Sequence, residues 1–266
     1  MAIGEAGRGE WALPVTAVMV RRRTRHELER MRRAGRIVAE VLALVEEHLR
    51  PGVSTATLDE LAEAHIRRSG AIPSFKGYRG YPATLCISVD DEVVHGIPGR
   101  RTIREGQVVS VDAGAIVDGW HADGARTFVV GTVPPAVREL VETTHLALMA
   151  GIAAAVPGNR IGDISAAIED VARPAGFGIV RQYVGHGIGE EMHQDPQIPN
   201  YRTGSRGLLL EPGMTLAIEP MLTLGSHEVA TKADGWTVVT VDGSPAAHFE
   251  HTIAVTADGP QILTTI

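Results

Sequence analysis

The sequence predicts an α/β chain of the α+β kind, in which two similar halves each set a pair of helices before a group of strands. Three observations predict it. Apolar residues recur at helical spacing in two pairs of segments, short runs of β-formers follow each pair, and turn-forming residues repeat between the halves at a constant offset.

In the first half, Leu28, Met31, Ile37, Val38, Val41, Leu42, Val45 and Leu49 mark one face of a long helix over 27–49, and Pro51-Gly52 ends it. A second helix follows Ser54 and Thr55, with Leu58, Leu61, Ala62, His65 and Ile66 on one face and Gly70 at its end. Segments 84–89 and 107–113 are short and rich in β-formers, and 125–130 follows a turn-forming Asp-Gly. The pattern then restarts. A helix over 135–155 ends at Pro157-Gly158, and a shorter one carrying Ile164, Ile168 and Val171 runs to Gly176.

Pro51 and Pro157, Gly52 and Gly158, Leu58 and Ile164, and Gly70 and Gly176 are each 106 residues apart, while Gly106 and Gly213, Val111 and Ile218, and Asp112 and Glu219 are each 107 apart. We read an internal duplication with halves at about 25–131 and 132–256. The offset matches a carboxylate with a carboxylate. If the halves pack around a pseudo-two-fold axis, Asp112 and Glu219 face one central cleft.

Composition narrows the function. Of 266 residues, 25 are Lys or Arg and 32 Asp or Glu, and the net charge of −7 argues against DNA as the main partner, because phosphate binding needs a basic face. Cys86 is the only cysteine, so an internal disulfide and a cysteine-based zinc or iron–sulfur site are ruled out, and a reducing compartment, the cytoplasm, is expected. No apolar run approaches the roughly 20 residues that span a bilayer, so no membrane partner is expected. Residues 1–24 are expected to form a poorly ordered N-terminal extension, with Arg21, Arg22 and Arg23 a solvated lead-in to the first helix, and 25–266 to form one domain.

The chemistry lies in a few acids and one imidazole. Segment 109–114 followed by 117–123 reads as strand, turn, strand, which directs Asp112 toward a cleft and brings Asp123 back beside it. A lone Asp at a strand end is more often a cap or turn residue, but the second half adds three groups. His186 sits in Gly185-His186-Gly187-Ile188-Gly189, where the glycines would let the backbone approach a ligand. Glu219 ends the apolar run 214–219, and Glu250 heads the run 249–255. Two Asp, two Glu and one His suit two hard-to-borderline divalent ions, whose four positive charges balance the four carboxylates.

In its contexts Val-Asp-Ala-Gly, His-Ala-Asp-Gly, Gly-His-Gly-Ile-Gly, Ala-Ile-Glu-Pro and Phe-Glu-His-Thr, this ordered set resembles the metal site of the methionine aminopeptidases. Segments 77–82, 86–88, 94–98 and 234–237 resemble that family too, and the likeness runs from about Arg25 to Thr256. The absence of a large helical insertion before Glu219 makes the chain similar to the bacterial type I form. The resemblance implies the pita-bread fold, with two pseudo-two-fold-related halves packed on a central, mostly antiparallel sheet. It implies that Asp123 and Glu250 bridge two divalent ions (Fe2+, Mn2+, Co2+ or Zn2+), that Asp112 completes one ion's shell, and that His186 and Glu219 complete the other's. It implies that His193 donates to the scissile carbonyl oxygen, that His95 contacts substrate near the following peptide nitrogen, and that Glu219 shuttles the proton.

By the same resemblance, Phe75, Tyr78, Tyr81, Cys86, Met192 and Trp236 line a pocket for the methionine side chain. Phe75 and Met192 depart from the bacterial form, where a cysteine and a phenylalanine are common, and both remain apolar. The implied activity is co-translational removal of the initiator methionine from nascent polypeptides whose second residue is small, by attack of a metal-activated water on the first peptide bond. The chain is then a monomer with at most a transient ribosome contact. Two alternatives remain at this level: a proline-directed relative of the prolidase type, and a non-catalytic binding member of the fold.

Overall fold

Helix α1 (Arg25–His48) begins at a capping box: Glu27 N–H donates to Thr24 Oγ1 at 3.3 Å, and Thr24 N–H donates to Glu27 Oε2 at 2.7 Å. This computed structural model describes residues 20–266. The apolar stripe of α1 (Met31, Val38, Val41, Val45) is buried to 1% exposure or less, and each such side chain contributes about 1.5–3 kcal/mol. α2 (Thr55–Arg68) starts at Ser54, whose hydroxyl accepts from Thr57 N–H.

The first half continues with β1 (Ile72–Pro73), a 3-10 turn at Tyr78–Gly80, β2 (Leu85–Val89), β3 (Glu92–Val94), β4 (Val108–Val117) and β5 (Trp120–Val129). The second comprises α3 (Pro135–Ala154), α4 (Ile161–Ala172), β6 (Gly178–Ile179), β7 (Gly185–Gly187), β8 (Gln194–Ile198), β9 (Thr215–Ile218), β10 (Met221–Thr223), β11 (Val229–Thr231), β12 (Val238–Thr240), β13 (Ala246–His248), β14 (His251–Thr256) and β15 (Gly259–Ile262). α1 and α3 end 106 residues apart, and α2 and α4 begin 106 apart, so the helical repeat read from sequence is physically present.

Antiparallel pairing dominates. β1, β2 and β5 all pair with β4, and a second sheet runs β15-β14-β9-β7-β8. Two small sheets, β13-β10-β6 and β11-β12-β3, flank them. Each half keeps its own core: Val38, Leu58, Val109 and Val111 in the first, Leu148, Ile164, Leu216 and Ile253 in the second. The halves join where Ala125 and Glu250 exchange backbone hydrogen bonds, at 3.2 and 2.9 Å. The fold matches the expectation of helices packed with antiparallel strands.

Three details differ from the sequence reading. The strand expected at 125–130 begins instead at Trp120, because Asp123 and Gly124 pair with Gly114 and Ala113 inside β5 rather than turning the chain. The strand expected at 107–113 runs on to Val117, because Asp118 and Gly119 both take positive φ (50° and 81°) and close a two-residue hairpin turn matched to strand twist. Asp112 therefore stands mid-strand rather than at a strand end. Arg21 and Arg22 are exposed as expected, but Arg23 is buried, its guanidinium 5.1 Å over the Trp120 ring and hydrogen-bonded to the Gln194 side chain. Stacking and hydrogen bonds offset the cost of burying that charge. Residues 1–19, most of the expected extension, lie outside the described residues. Among the described residues, no helix is long and apolar enough to cross a membrane.

Candidate metal centre and substrate cleft

The β4–β5 register sets the first two acids. Asp112 pairs with Ala125 and Gly114 with Asp123, so the two aspartates are diagonal neighbours on one face of the hairpin. The register of β9 and β14 sets the next two: Ile218 pairs with His251, and Glu219 and Glu250 leave the ladder side by side. His186 comes from β7, which lies between β8 and β9 and pairs with both. Asp123, His186 and Glu250 each place one ligand atom within 4.8 Å of the others, all three buried. Asp112 and Glu219 line the same cleft.

The donor chemistry fits a divalent cation. His186 Nδ1 lies 3.0 Å from Gly187 O, and that carbonyl can only accept, so Nδ1 carries the ring proton. Nε2 is left as a bare lone pair, 3.5 Å from Glu219 Oε1 and 3.7 Å from Asp123 Oδ2. Three acceptors converging without a donor call for a cation between them. Asp112 Oδ1, fully shielded and without a hydrogen-bond partner, adds a fourth. Burial, reinforced by the neighbouring carboxylates, pushes Asp112, Glu219 and Glu250 well above the usual carboxylate range, and burial raises Asp123 to about 6. Burial likewise lowers His186 to about 4.

The sequence reading assigned the glycines of Gly185-His186-Gly187 to the approach of a ligand. They serve the sheet instead. A Cβ at Gly185 would stand 2.5 Å from Ala217 O, and one at Gly187 would stand 2.2 Å from Asp195 O, so the neighbouring strands need that space.

Every residue singled out from sequence lines one cleft of about 410 Å³. At one end Phe75, Tyr81, Cys86 and Met192 form a buried apolar cluster, with Tyr78 and Trp236 packed against it. Tyr81 is fixed by its hydroxyl, which has the Leu85 and Gly96 carbonyls at 2.9 and 3.0 Å, and it meets Trp236 edge-on at 5.1 Å. Asp234 holds the Trp236 loop by accepting from the N–H groups of Trp236 and Thr237. Cys86 pairs with Asp112 across β2 and β4, so the apolar pocket directly adjoins the acidic centre. Gly114 makes room for Phe75, since a Cβ there would lie 2.8 Å from Phe75 Cε1.

His193 stands at the mouth, 4.3 Å from the His186 ring between centroids, with Nδ1 3.0 Å from Tyr78 Oη. Burial lowers it to about 4, so the ring is neutral at pH 7. His95 adopts φ 61°, uncommon for a residue with a side chain, and packs edge-on against Tyr183 at 5.5 Å. Sequence reasoning missed Arg79, Gln182, Tyr183 and Gln197 on this lining. Tyr183 lies two residues before Gly185, so proximity to the glycine-flanked histidine was the available signal.

The family model of metallopeptidase family M24 matches residues 29–257. The methionine aminopeptidase of Clostridium acetobutylicum is 51% identical over 239 residues, covering 90% of this chain and 96% of that protein. Methionine aminopeptidase 1 of Mycobacterium tuberculosis is 52% identical over 253 residues, covering 92% and 95%. Among solved structures, the methionine aminopeptidase of Thermotoga maritima superposes with a TM-score of 0.91 at 46% identity, covering 93% of this chain and 100% of that one. The prolidase of Pyrococcus furiosus superposes with a TM-score of 0.75 at 23% identity over 92% of this chain and 65% of its own, a likeness of fold alone. The chain belongs to metallopeptidase family M24, in its methionine aminopeptidase branch.

Proposed function

We propose that this chain is a type I methionine aminopeptidase that removes the N-terminal methionine from nascent polypeptides whose second residue is small. One observation carries the reading: an apolar, aromatic pocket with a single thiol opens directly onto a cluster of four carboxylates and an imidazole, of which Asp123, His186 and Glu250 are buried. An unbranched thioether suits such a pocket through dispersion and sulfur–aromatic contacts. Asp112, Asp123, His186, Glu219 and Glu250 would hold two divalent ions. Ions held there supply Lewis acidity and make water a nucleophile at neutral pH.

The chain's own residues do the rest. The pocket seats the first side chain and so fixes the scissile carbonyl over the acidic centre. Glu219, whose carboxyl is held well above the ordinary range, accepts a proton from the attacking water and delivers it to the leaving nitrogen. With the Tyr78 hydroxyl donating to His193 Nδ1, the ring presents Nε2–H, and this neutral donor stabilises the carbonyl oxygen as it gains charge. His95 lines the cleft beside Tyr183 and contacts the chain beyond the scissile bond.

Protein stripped with chelator and reloaded separately with Fe2+, Mn2+, Co2+ and Zn2+ tests this. A Met-Ala-Ser peptide is expected to lose methionine with at least one ion, and an Xaa-Pro dipeptide to remain intact. Cleavage of the proline dipeptide in preference to Met-Ala-Ser would reject the reading.

A further inference from the structure

His248 enters the sequence as one histidine among 11. The β10–β13 register pairs it with Met221, two residues after Glu219, and so brings its ring against that glutamate. It is 1% exposed, and its Nε2 is fully shielded and has no hydrogen-bond partner. The nearest acidic oxygen is Glu219 Oε2, at 3.8 Å. Its backbone is pinned on both sides by Thr127, whose Oγ1 lies 2.7 Å from His248 O and 2.8 Å from His248 N. Main-chain play therefore does not explain the orphaned nitrogen.

Glu219 is bracketed by two imidazoles. Oε1 faces His186 Nε2 at 3.5 Å and Oε2 faces His248 Nε2 at 3.8 Å, while Asn200 Nδ2 holds the Glu219 carbonyl at 3.1 Å. The two rings play opposite parts. His186 has its proton on Nδ1 and turns a lone pair toward the centre. A bare Nε2 on His248 would set a second lone pair against a carboxylate oxygen in a dry interior, which is costly, whereas a proton there satisfies both atoms. Closing the gap to a hydrogen bond takes about 1 Å, within reach of a rotation of the glutamate side chain.

We infer that His248 is a positioning residue for Glu219: its Nε2–H donates to Oε2 and thereby reserves Oε1 for the ion beside His186. Carboxylates that bind metals are commonly held by such a donor on their free oxygen. The inference rests on Glu219 being a metal ligand. Titrating Mn2+ into Glu219→Ala tests that separately: if this variant takes up two ions as tightly as the parent, the ligand reading fails, and this inference with it.

His248 itself is tested in two ways. In zinc-loaded protein with 15N-labelled histidine, long-range nitrogen–proton spectra are expected to place the His248 proton on Nε2, with His248→Gln identifying the signal. A proton on Nδ1 alone, or a zinc-shifted Nε2 showing direct ligation, overturns the inference. In calorimetric titration of chelator-stripped protein with Mn2+, His248→Leu is expected to weaken one ion about 10- to 100-fold, and His248→Gln, which keeps a donor near the same place, to stay within about threefold of the parent. Parental affinity in the Leu variant, or equal loss in a Gln variant that melts like the parent, also overturns it. Should the Leu variant fail to fold, the tautomer spectrum decides.

Discussion

Thr252 holds Asp123 across the seam between the two halves: Thr252 Oγ1 lies 3.0 Å from Asp123 N, 2.8 Å from Asp123 O and 3.0 Å from Asp123 Oδ1. One hydroxyl thus accepts from the backbone of the aspartate and donates to its oxygens. Thr252→Val keeps the shape and removes all three contacts. Leaving a buried N–H unpaired is expected to cost about 1–3 kcal/mol in thermal or urea unfolding, and loosening a ligand to weaken Mn2+ binding about 10-fold. Parental Mn2+ affinity in a destabilised variant would show that the hydroxyl serves the fold alone.

Metal uptake is expected to rise with pH. Asp123 keeps its proton to about pH 6 and Asp112, Glu219 and Glu250 are held higher than usual, all by burial, and under the proposed ligand set each must ionise to take a cation. Raised carboxyl values stabilise the metal-free protein below the unfolded carboxylate range near 4, and that contribution is lost as pH climbs through about 6. His186, lowered to about 4, contributes in the opposite sense, with stability present above about 6.5 and lost as pH falls through 4. Both effects favour metal at higher pH. The rise in melting temperature on adding Mn2+ should be larger at pH 7.5 than at pH 5.5, with protons released to the buffer. Equal rises at the two values would contradict the ligand assignment.

Removing the proposed oxyanion donor separates binding from chemistry. His193→Ala is expected to lower kcat by about 10²–10³ with KM within a few fold, and to retain its ions. Tyr78→Phe, which frees the His193 tautomer, should lower kcat less, about 10-fold. Equal kcat in His193→Ala and the parent would remove His193 from the mechanism.

The pocket can be narrowed from behind. In Gly114→Ala the new methyl would meet Phe75 Cε1 and Ser74 Cβ, both at 2.8 Å, and push the ring toward the proposed methionine pocket. A stability cost of about 1–3 kcal/mol and a rise in KM for Met-Ala-Ser of about 10-fold are expected. A destabilised variant with unchanged KM would place Phe75 outside the specificity pocket.

How much the sequence revealed follows from which interactions are local. α1 and α3 were legible because burial on one side imposes a helical period, and their paired ends survive as a 106-residue offset. β6, β7 and β10 to β13 are two or three residues each, too short for any period to register. β10 to β13 also fill a long excursion between β9 and β14 that has no counterpart in the two-residue turn between β4 and β5, so the repeat fades there. The acids of the centre were legible because carboxylates inside apolar runs are expensive unless paired. His248 and Arg23 were not, since their surroundings come from residues far off in sequence: Glu219 and Thr127 for one, Trp120 and Gln194 for the other.

The exchange of backbone hydrogen bonds between Ala125 and Glu250 also bears on how the molecule is made. A ribosome releases residues in order, and this seam cannot close until position 250 has cleared the exit tunnel. The acidic cluster is therefore among the last features to exist, long after the amino end of the same chain has met the solvent. A chain cut short before Glu250 has neither the seam nor the full set of four acids, so the centre forms only after both halves are complete.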